Sequence, residues 1–187
     1  KEVRPSYMCA VPRFWEKLYM GVNDKIDSFS PFMQKVMRRA IKVGEICNLE
    51  YRRYDKEIPT LLSIQYWFYE HTLFKILKKV IGLDRGQFFP TAGAALSDDV
   101  NIFLHSVGFN ICVGYGLTES TATVSCYNPA NRDYEINSAG DIMPEVEVRI
   151  GENDEILLRG KTITEGYYNR PEANASAFVD GWFRTGD

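Results

Sequence analysis

The chain has 187 residues, 45% of them hydrophobic, and its 22 basic and 25 acidic side chains give a net charge of −3. This size allows one sizeable core or parts of two layers, and the acidic balance argues against nucleic-acid binding, which usually needs a clustered basic face. Four cysteines without a CxxC pair favour free thiols in a reducing cytoplasm, and the two histidines lie in no metal-ligand spacing. No apolar run approaches the roughly 20 residues of a membrane span.

Three helices are predicted in the first part of the chain. Apolar residues at spacings of three and four indicate a helix over 11–29, with Pro12 in its opening turn. The same spacing predicts a long second helix over about 32–54. A third helix is predicted over about 60–81, where Gly82 follows as the C-cap.

The second of these helices is basic away from its apolar stripe, and two interpretations stay open. The helix lies on an anionic membrane surface, which would suit a lipid substrate, or its cations form a solvated face. The solvated face is the more ordinary of the two. The basic residues are Lys35, Arg38, Arg39, Lys42, Arg52 and Arg53.

The pattern changes to α/β after residue 86. A short strand over 87–90, a small-residue loop over 91–96 and a helix over 97–107 with Ser97 as its N-cap precede a strand over 109–113. Strand, helix and strand form a βαβ unit, so the two strands should be parallel and the crossover right-handed. Ligands of such sheets bind beyond the carboxyl ends of the strands, where the loop over 91–96 and the turn over 114–119 should lie.

The last third of the chain predicts mainly β-structure. Alternating residues over 146–150, a turn and a strand over 155–159 indicate an antiparallel hairpin. Pro171 begins a short helix to about Phe178, and Asp180-Gly181 forms a tight turn before a final short strand.

The most informative stretch is the sequence GYGLTES at 114–120. It brings an aromatic ring (Tyr115), a hydroxyl (Thr118) and a carboxylate (Glu119) together after a buried strand. Glycine allows a close backbone approach or a positive φ, and a carboxylate can hold a hard cation such as Mg²⁺. The spacing alone fits a nucleotide phosphate site and a plain strand-to-loop turn about equally.

Several motifs in order resemble those of the adenylate-forming enzymes. VGYGLTES is similar to their YGxTE motif, PTAGAALS at 90–97 to their GGAAL-type segment, and EILLRGKTITEGYYNRPEANASAFVDGWFRTGD at 155–187 to their GEIxxRG…GYYxxPE…DGWxxTGD run. AVPRFWEKLY at 10–19 resembles the VPRxWEK segment of the long-chain fatty acyl-CoA synthetase branch. The resemblance covers nearly the whole chain, which is therefore identified as a member of this family.

This resemblance implies an α/β fold, namely part of the N-terminal AMP-binding domain, with a helical and α/β portion over 1–135 and a β-rich subdomain over 136–187. Family members carry a phosphate-binding loop upstream of these motifs and a C-terminal domain with a catalytic lysine downstream of them. We therefore expect the chain to be the middle piece of a larger enzyme, inactive alone.

The chemistry that the resemblance implies has two steps. A fatty acid carboxylate attacks the α-phosphate of ATP to give an acyl-adenylate and pyrophosphate, and the thiol of CoA then displaces AMP. Negative charge develops on phosphate oxygens in the first step, so the protein must supply cations and hydrogen-bond donors. Thr118 would bond the phosphate, and Glu119 would hold Mg²⁺.

The remaining site residues are implied in the same way. Tyr115 would stack on the adenine, and Asp187 would accept both ribose hydroxyls, although a last residue is expected to fray. The sequence departs from the commoner motif at Ala92, where glycine is usual. Close backbone contacts to the nucleotide are expected at Gly93, Ala94, Ala95, Gly114 and Gly116.

Other functions remain open at this point. Tyr115 can instead cap the sheet, and Glu119 can be a solvated loop acid. An aryl or medium-chain acid is the alternative substrate of the same reaction, and a lipid- or membrane-binding helical module built on the basic helix is a non-catalytic alternative. We expect a cytoplasmic protein, with or without a peripheral membrane contact, and the sequence leaves its oligomeric state open.

Overall fold

The computed structural model of the chain describes residues 2–128 and 135–187. It divides into two compact units: the first comprises Lys1–Val113 and Tyr127–Ser138, and the second comprises Gly114–Cys126 and Ala139–Asp187. The domain bounds predicted from the sequence, 1–135 and 136–187, stay a prediction.

Helices dominate the first unit, at the three places that the apolar spacing predicts. Two of them widen into π-helical turns, which the spacing did not predict. Gly82, with a φ of 90°, ends the third at its C-cap. The segments are α1 (Pro12–Asp27), α2 (Pro31–Glu45) with a π turn (Ile46–Tyr51) and a 3₁₀ turn (Arg52–Tyr54), and α3 (Thr60–Tyr69), a π turn (Glu70–Phe74) and α4 (Lys75–Ile81).

The predicted βαβ unit is present, with its elements shifted by one or two residues. It consists of β1 (Phe89–Thr91), α5 (Asp98–Ser106) and β2 (Ile111–Tyr115). Strands β1 and β2 are parallel, as predicted, with Thr91 opposite Val113. Ser97 is the N-cap of α5, as predicted, with an extended backbone, although its side chain makes no capping hydrogen bond.

The core of the first unit surrounds Trp15, which is fully buried. Its indole contacts the rings of Phe89 and Phe109, with centroids 5.4 and 6.0 Å away, and its Nε1 donates to Thr91 Oγ1 at 2.8 Å. The aromatic motif residue of α1 therefore ties the helix to β1. This explains why a tryptophan suits the position, since only an indole supplies both the bulk and the N–H donor.

The basic face predicted for the second helix is only partly solvated. Its apolar stripe packs into the core through Met37, Ala40 and Cys47, which leaves Arg38 among the exposed cations. Arg53 departs from the prediction because it is buried and pairs with Glu135. A buried guanidinium needs such a partner, and a periodic pattern of charges gives no sign of it.

In the second unit, the end of β2 forms an antiparallel ladder with two short strands. Gly114 and Tyr115 pair with Cys126 and Ser125 of β3 (Ser125–Cys126), which in turn pairs with β4 (Asp141–Ile142). The turn predicted from residue 114 therefore begins later, because both residues are still engaged in backbone pairing.

A second sheet completes this unit with four antiparallel strands. The predicted hairpin over 146–150 and 155–159 is confirmed, and the turn between the last two strands contains Asp180 and Gly181, both with positive φ. The core contains Val124, Val146, Leu158 and Phe183. The strand order is β5 (Val146–Ile150), β6 (Ile156–Gly160), β8 (Trp182–Arg184) and β7 (Phe178–Val179), and α6 (Pro171–Ala177) precedes β7.

Within residues 2–128 and 135–187, no helix has the length and apolar character needed to cross a bilayer.

Candidate functional site

The GYGLTES stretch forms a 3₁₀ turn over Thr118–Ser120 that is fixed by its own serine. Ser120 Oγ accepts from the Leu117 amide at 2.9 Å and donates to the Leu117 carbonyl at 3.0 Å. Ser120 is buried, whereas Thr118 is exposed. The serine therefore stabilises the turn, and the threonine hydroxyl is accessible to a ligand.

Gly116 is required by a close contact within the chain. A Cβ at this position would lie 1.6 Å from the carbonyl oxygen of Ala122, which is a severe overlap with backbone. Neither Gly116 nor Gly114 has a positive φ. A positive φ is therefore not what requires glycine at these positions, and the close approach of the chain to the Ala122 carbonyl is the physical reason for glycine at 116.

Glu119 is held at both its backbone and its side chain. Its carbonyl oxygen accepts from the Thr164 amide at 2.7 Å, and its Oε1 accepts from the Tyr167 hydroxyl at 2.8 Å. Glu119 is half-buried. The hydrogen bond to this carboxylate raises the pKa of Tyr167, so the phenol remains the donor. The carboxylate is thus presented in a defined place on the turn.

Tyr115 and Asp187 are joined directly, although 72 residues separate them in the sequence. The Tyr115 hydroxyl donates to Asp187 Oδ2 at 2.5 Å. Burial, together with this hydrogen bond, raises the pKa of Tyr115 to about 12. The Asp187 carbonyl also accepts from the Ile156 amide at 3.0 Å.

The alanine loop belongs to the first unit, where it follows β1. Gly93, Ala94 and Ala95 are exposed, and Gly93 has a φ of +94° with no atom within 4 Å of a Cβ built there. The second unit contains the other predicted residues, namely Gly114, Tyr115, Gly116, Thr118, Glu119 and Asp187. Within this group, a hydrogen bond between side chains connects Tyr115 to Asp187.

Sequence reasoning missed three residues that shape the turn: Ser120, Thr164 and Tyr167. Thr164 and Tyr167 lie in the run at 155–187 that carries the family resemblance, but neither residue was assigned a role. Tyr167 is 48 residues from Glu119, so no local spacing links the two. The sequence offered one indication of its role: Tyr167 is an aromatic residue with a hydroxyl group, in a motif to which no function had been given.

Glu119 fits Mg²⁺ as a single protein ligand. Among residues 2–128 and 135–187, no three His, Cys, Asp or Glu side chains are grouped to hold a metal ion. Mg²⁺ usually keeps several waters and takes one or two carboxylates together with substrate phosphates. A half-buried carboxylate with a hydrogen bond on Oε1, beside an exposed hydroxyl, matches that requirement.

Each unit also contains a cavity away from the predicted residues. In the first unit, an apolar groove of about 900 Å³ is lined by α1, α2 and α4, including Val22, Met33 and Ile76. In the second unit, a cavity of about 530 Å³ is lined by Arg149 and Trp182, among others. Neither cavity is lined by any of the nucleotide- or metal-binding residues that the family motifs predict.

Residues 1–168 match the family described as AMP-binding enzyme. The chain is 30% identical over 198 residues to long-chain-fatty-acid–CoA ligase 1 of Schizosaccharomyces pombe, covering 98% of this chain and 28% of that protein. It is 28% identical over 200 residues to long chain acyl-CoA synthetase 5 of Arabidopsis thaliana, covering 100% of this chain and 28% of that protein. The chain therefore spans 28% of the length of both relatives.

Solved structures share the fold. The N-terminal domain of FACL13 from Mycobacterium tuberculosis superposes with a TM-score of 0.57 at 20% identity, covering 100% of this chain and 36% of that chain. O-succinylbenzoate coenzyme A synthetase from Bacillus subtilis, in complex with ATP and magnesium ion, gives a TM-score of 0.50 at 24% identity, covering 56% of this chain and 24% of that chain. These likenesses confirm the α/β fold class. With the family match extending over residues 1–168, the chain belongs to the AMP-binding enzyme family.

Proposed function

We propose that the protein containing this chain is an ATP-dependent fatty acid–CoA ligase. A carboxylate oxygen of the fatty acid attacks the α-phosphorus of ATP and pyrophosphate leaves; the sulfur of CoA then attacks the acyl carbon and AMP leaves. Family membership and relatives named as long-chain-fatty-acid–CoA ligases support the proposal. The observation that carries it is the Tyr115–Asp187 hydrogen bond, which places two of the proposed nucleotide contacts side by side.

Two residues of the 3₁₀ turn would assist the first step, in which the adenylyl group of ATP is transferred to the fatty acid. The exposed Thr118 hydroxyl would donate to a phosphate oxygen, and the Glu119 carboxylate would hold Mg²⁺. When bound, the ion neutralises charge that develops on the phosphate oxygens. Glu119 suits this role because its backbone and its Oε1 are both fixed before any ligand arrives, so little conformational freedom is lost on binding.

The other proposed contacts serve the nucleoside. Tyr115 would stack on the adenine, and Asp187 would accept the ribose hydroxyls, a bidentate task suited to a carboxylate. The exposed backbone of Gly93, Ala94 and Ala95 is proposed to contact the nucleotide, as are Gly114 and Gly116. CoA is the proposed thiol substrate of the second step.

Substrate choice is tested on the intact protein with acids of graded length. A long-chain preference is expected from the resemblance of residues 10–19 and from the names of the relatives. Preference for an aryl or medium-chain acid would leave the adenylation chemistry in place and replace the proposed substrate. A peripheral membrane contact belongs to the proposal for one reason, which is that a long acyl substrate partitions into lipid.

The decisive experiment replaces Glu119 in the intact protein. We expect Glu119→Ala to slow ATP–pyrophosphate exchange at least about tenfold, which corresponds to ~1.4 kcal/mol of transition-state stabilisation. Glu152→Ala is the matched control, because Glu152 is an exposed carboxylate in the turn between β5 and β6. Equal exchange rates in the two variants would refute the role of Glu119, and no fatty-acid-dependent exchange in the wild type would refute the function.

A further inference from the structure

The contacts of Tyr167 suggest a role for a motif to which the proposed reaction gives none. Tyr167 lies in the GYY sequence at 166–168, and its hydroxyl donates to Glu119 Oε1 at 2.8 Å. The next residue, Tyr168, is 91% exposed. Two adjacent tyrosines therefore have different environments, and the one that reaches the turn contacts its carboxylate.

Tyr167 is itself held in place by α6. Its amide donates to Asn174 Oδ1 at 2.7 Å, and Asn174 Nδ2 donates to its carbonyl at 3.0 Å. Gly166 has a φ of +150°, and a Cβ there would approach the Asn174 amide group at 3.1 to 3.2 Å. These two hydrogen bonds fix the backbone of Tyr167, so its side chain extends from a defined position.

The backbone of the turn has a separate support. The Thr164 amide donates to the Glu119 carbonyl at 2.7 Å, and Thr121 Oγ1 donates to the Thr162 carbonyl at 2.5 Å. Neither bond involves the Tyr167 hydroxyl. Loss of that hydroxyl alone should therefore leave the turn in place and free the carboxylate to rotate.

We infer that Tyr167 is a positioning residue for the carboxylate of Glu119, acting through its hydroxyl on the group that we propose as the Mg²⁺ ligand. The inference rests on the proposed function. A hydrogen bond to one oxygen of a ligating carboxylate fixes its orientation toward the ion, and the loss of such outer partners typically weakens metal binding about 10- to 100-fold. Asn174 fixes the position of Tyr167, and Tyr167 fixes the orientation of the Glu119 carboxylate.

The test compares Tyr167→Phe with Tyr168→Phe in the intact protein. Each variant removes one phenolic hydroxyl and keeps the ring. Binding of Mn²⁺ in the presence of ATP is measured by electron paramagnetic resonance, without fatty acid. We expect Tyr167→Phe to weaken Mn²⁺ binding about tenfold and Tyr168→Phe to leave it unchanged. Equal Mn²⁺ affinity in the two variants would overturn the inference.

A double-mutant cycle separates positioning from general support of the structure. In a Glu119→Ala background, Tyr167→Phe should have no further effect on Mn²⁺ binding, because the group that it positions is gone. If Tyr167 only supports the local fold, the loss will be the same in both backgrounds, and the inference fails.

The same samples distinguish this inference from the proposed function. If the wild type forms acyl-adenylate and the cycle shows no coupling between Tyr167 and Glu119, the inference alone fails. If the wild type forms no acyl-adenylate while the cycle shows coupling, the proposed ligase function fails and the positioning of a metal-binding carboxylate is supported.

Discussion

The two units reach their geometry by different means. Among the described residues, the buried cluster of the first unit contains eighteen hydrophobic side chains, whereas that of the second unit contains four. The candidate turn of the second unit is fixed mainly by hydrogen bonds from Ser120, Thr164 and Tyr167 and by a close backbone approach at Gly116. Loss of a large buried side chain in the first unit should therefore cost the most stability, whereas substitutions around the turn should change ligand geometry as well as stability.

The largest expected effect comes from the core of the first unit. Trp15→Ala removes a fully buried indole and its hydrogen bond to Thr91, so we expect a loss of about 3–5 kcal/mol in the free energy of unfolding. Trp67→Ala is the matched control, since Trp67 is 60% exposed, and it should cost less than about 1 kcal/mol.

The measurement is the urea midpoint of the intact protein for both tryptophan variants. Similar shifts for the two substitutions would show that burial does not determine stability in the first unit. The contrast between the units would then lose its basis.

Two glycine substitutions, one in each unit, compare how a new methyl group affects stability and activity. Gly116→Ala should cost about 1–3 kcal/mol and slow adenylation, because the new methyl group overlaps the Ala122 carbonyl and displaces the turn. Gly21→Ala in α1 meets no atom within 4 Å and should stabilise the protein by about 0.5–1 kcal/mol, since alanine favours helix.

Urea midpoints and ATP–pyrophosphate exchange rates of the two glycine variants provide the check. If Gly116→Ala keeps both wild-type stability and wild-type exchange, then the contact at Ala122 does not constrain the turn.

Local patterns predicted much of this fold. The three helical regions, the parallel βαβ pairing and the 146–160 hairpin follow from apolar spacing and from turn residues, which act over a few positions. The π turn at Ile46–Tyr51 was not predictable in this way. It follows Gly44, where a Cβ would lie 2.0 Å from the Ser106 carbonyl, so tertiary packing shapes the helix at this point.

The candidate site shows the same limit. The GYGLTES turn was recognisable because its chemistry lies within seven residues of sequence. The bonds from Tyr167 to Glu119 and from Tyr115 to Asp187 span 48 and 72 residues, and no periodicity indicates such pairs. The prediction that Arg53 lies on a solvated face was wrong for a related reason. Arg53 is buried and pairs with Glu135, a partner 82 positions further along the chain.

The last prediction concerns pH and the core of the first unit. Burial, together with the charge of Arg53, lowers the pKa of His105 from 6.5 to about 3. Below pH 6.5 the unfolded chain therefore binds a proton that the folded chain excludes, so stability is complete above pH 6.5 and falls toward pH 3. Between pH 7 and pH 5 this amounts to about 2 kcal/mol.

Replacement of each histidine isolates this contribution. His105→Gln should flatten the dependence of the urea midpoint on pH between 7 and 5, whatever its own cost to stability, because the titrating group is gone. His71→Gln is the control, since His71 is exposed and its replacement leaves the buried imidazole of His105 in place. Parallel pH profiles for the wild type and His105→Gln would mean that folding does not lower the pKa of His105, and would contradict this prediction.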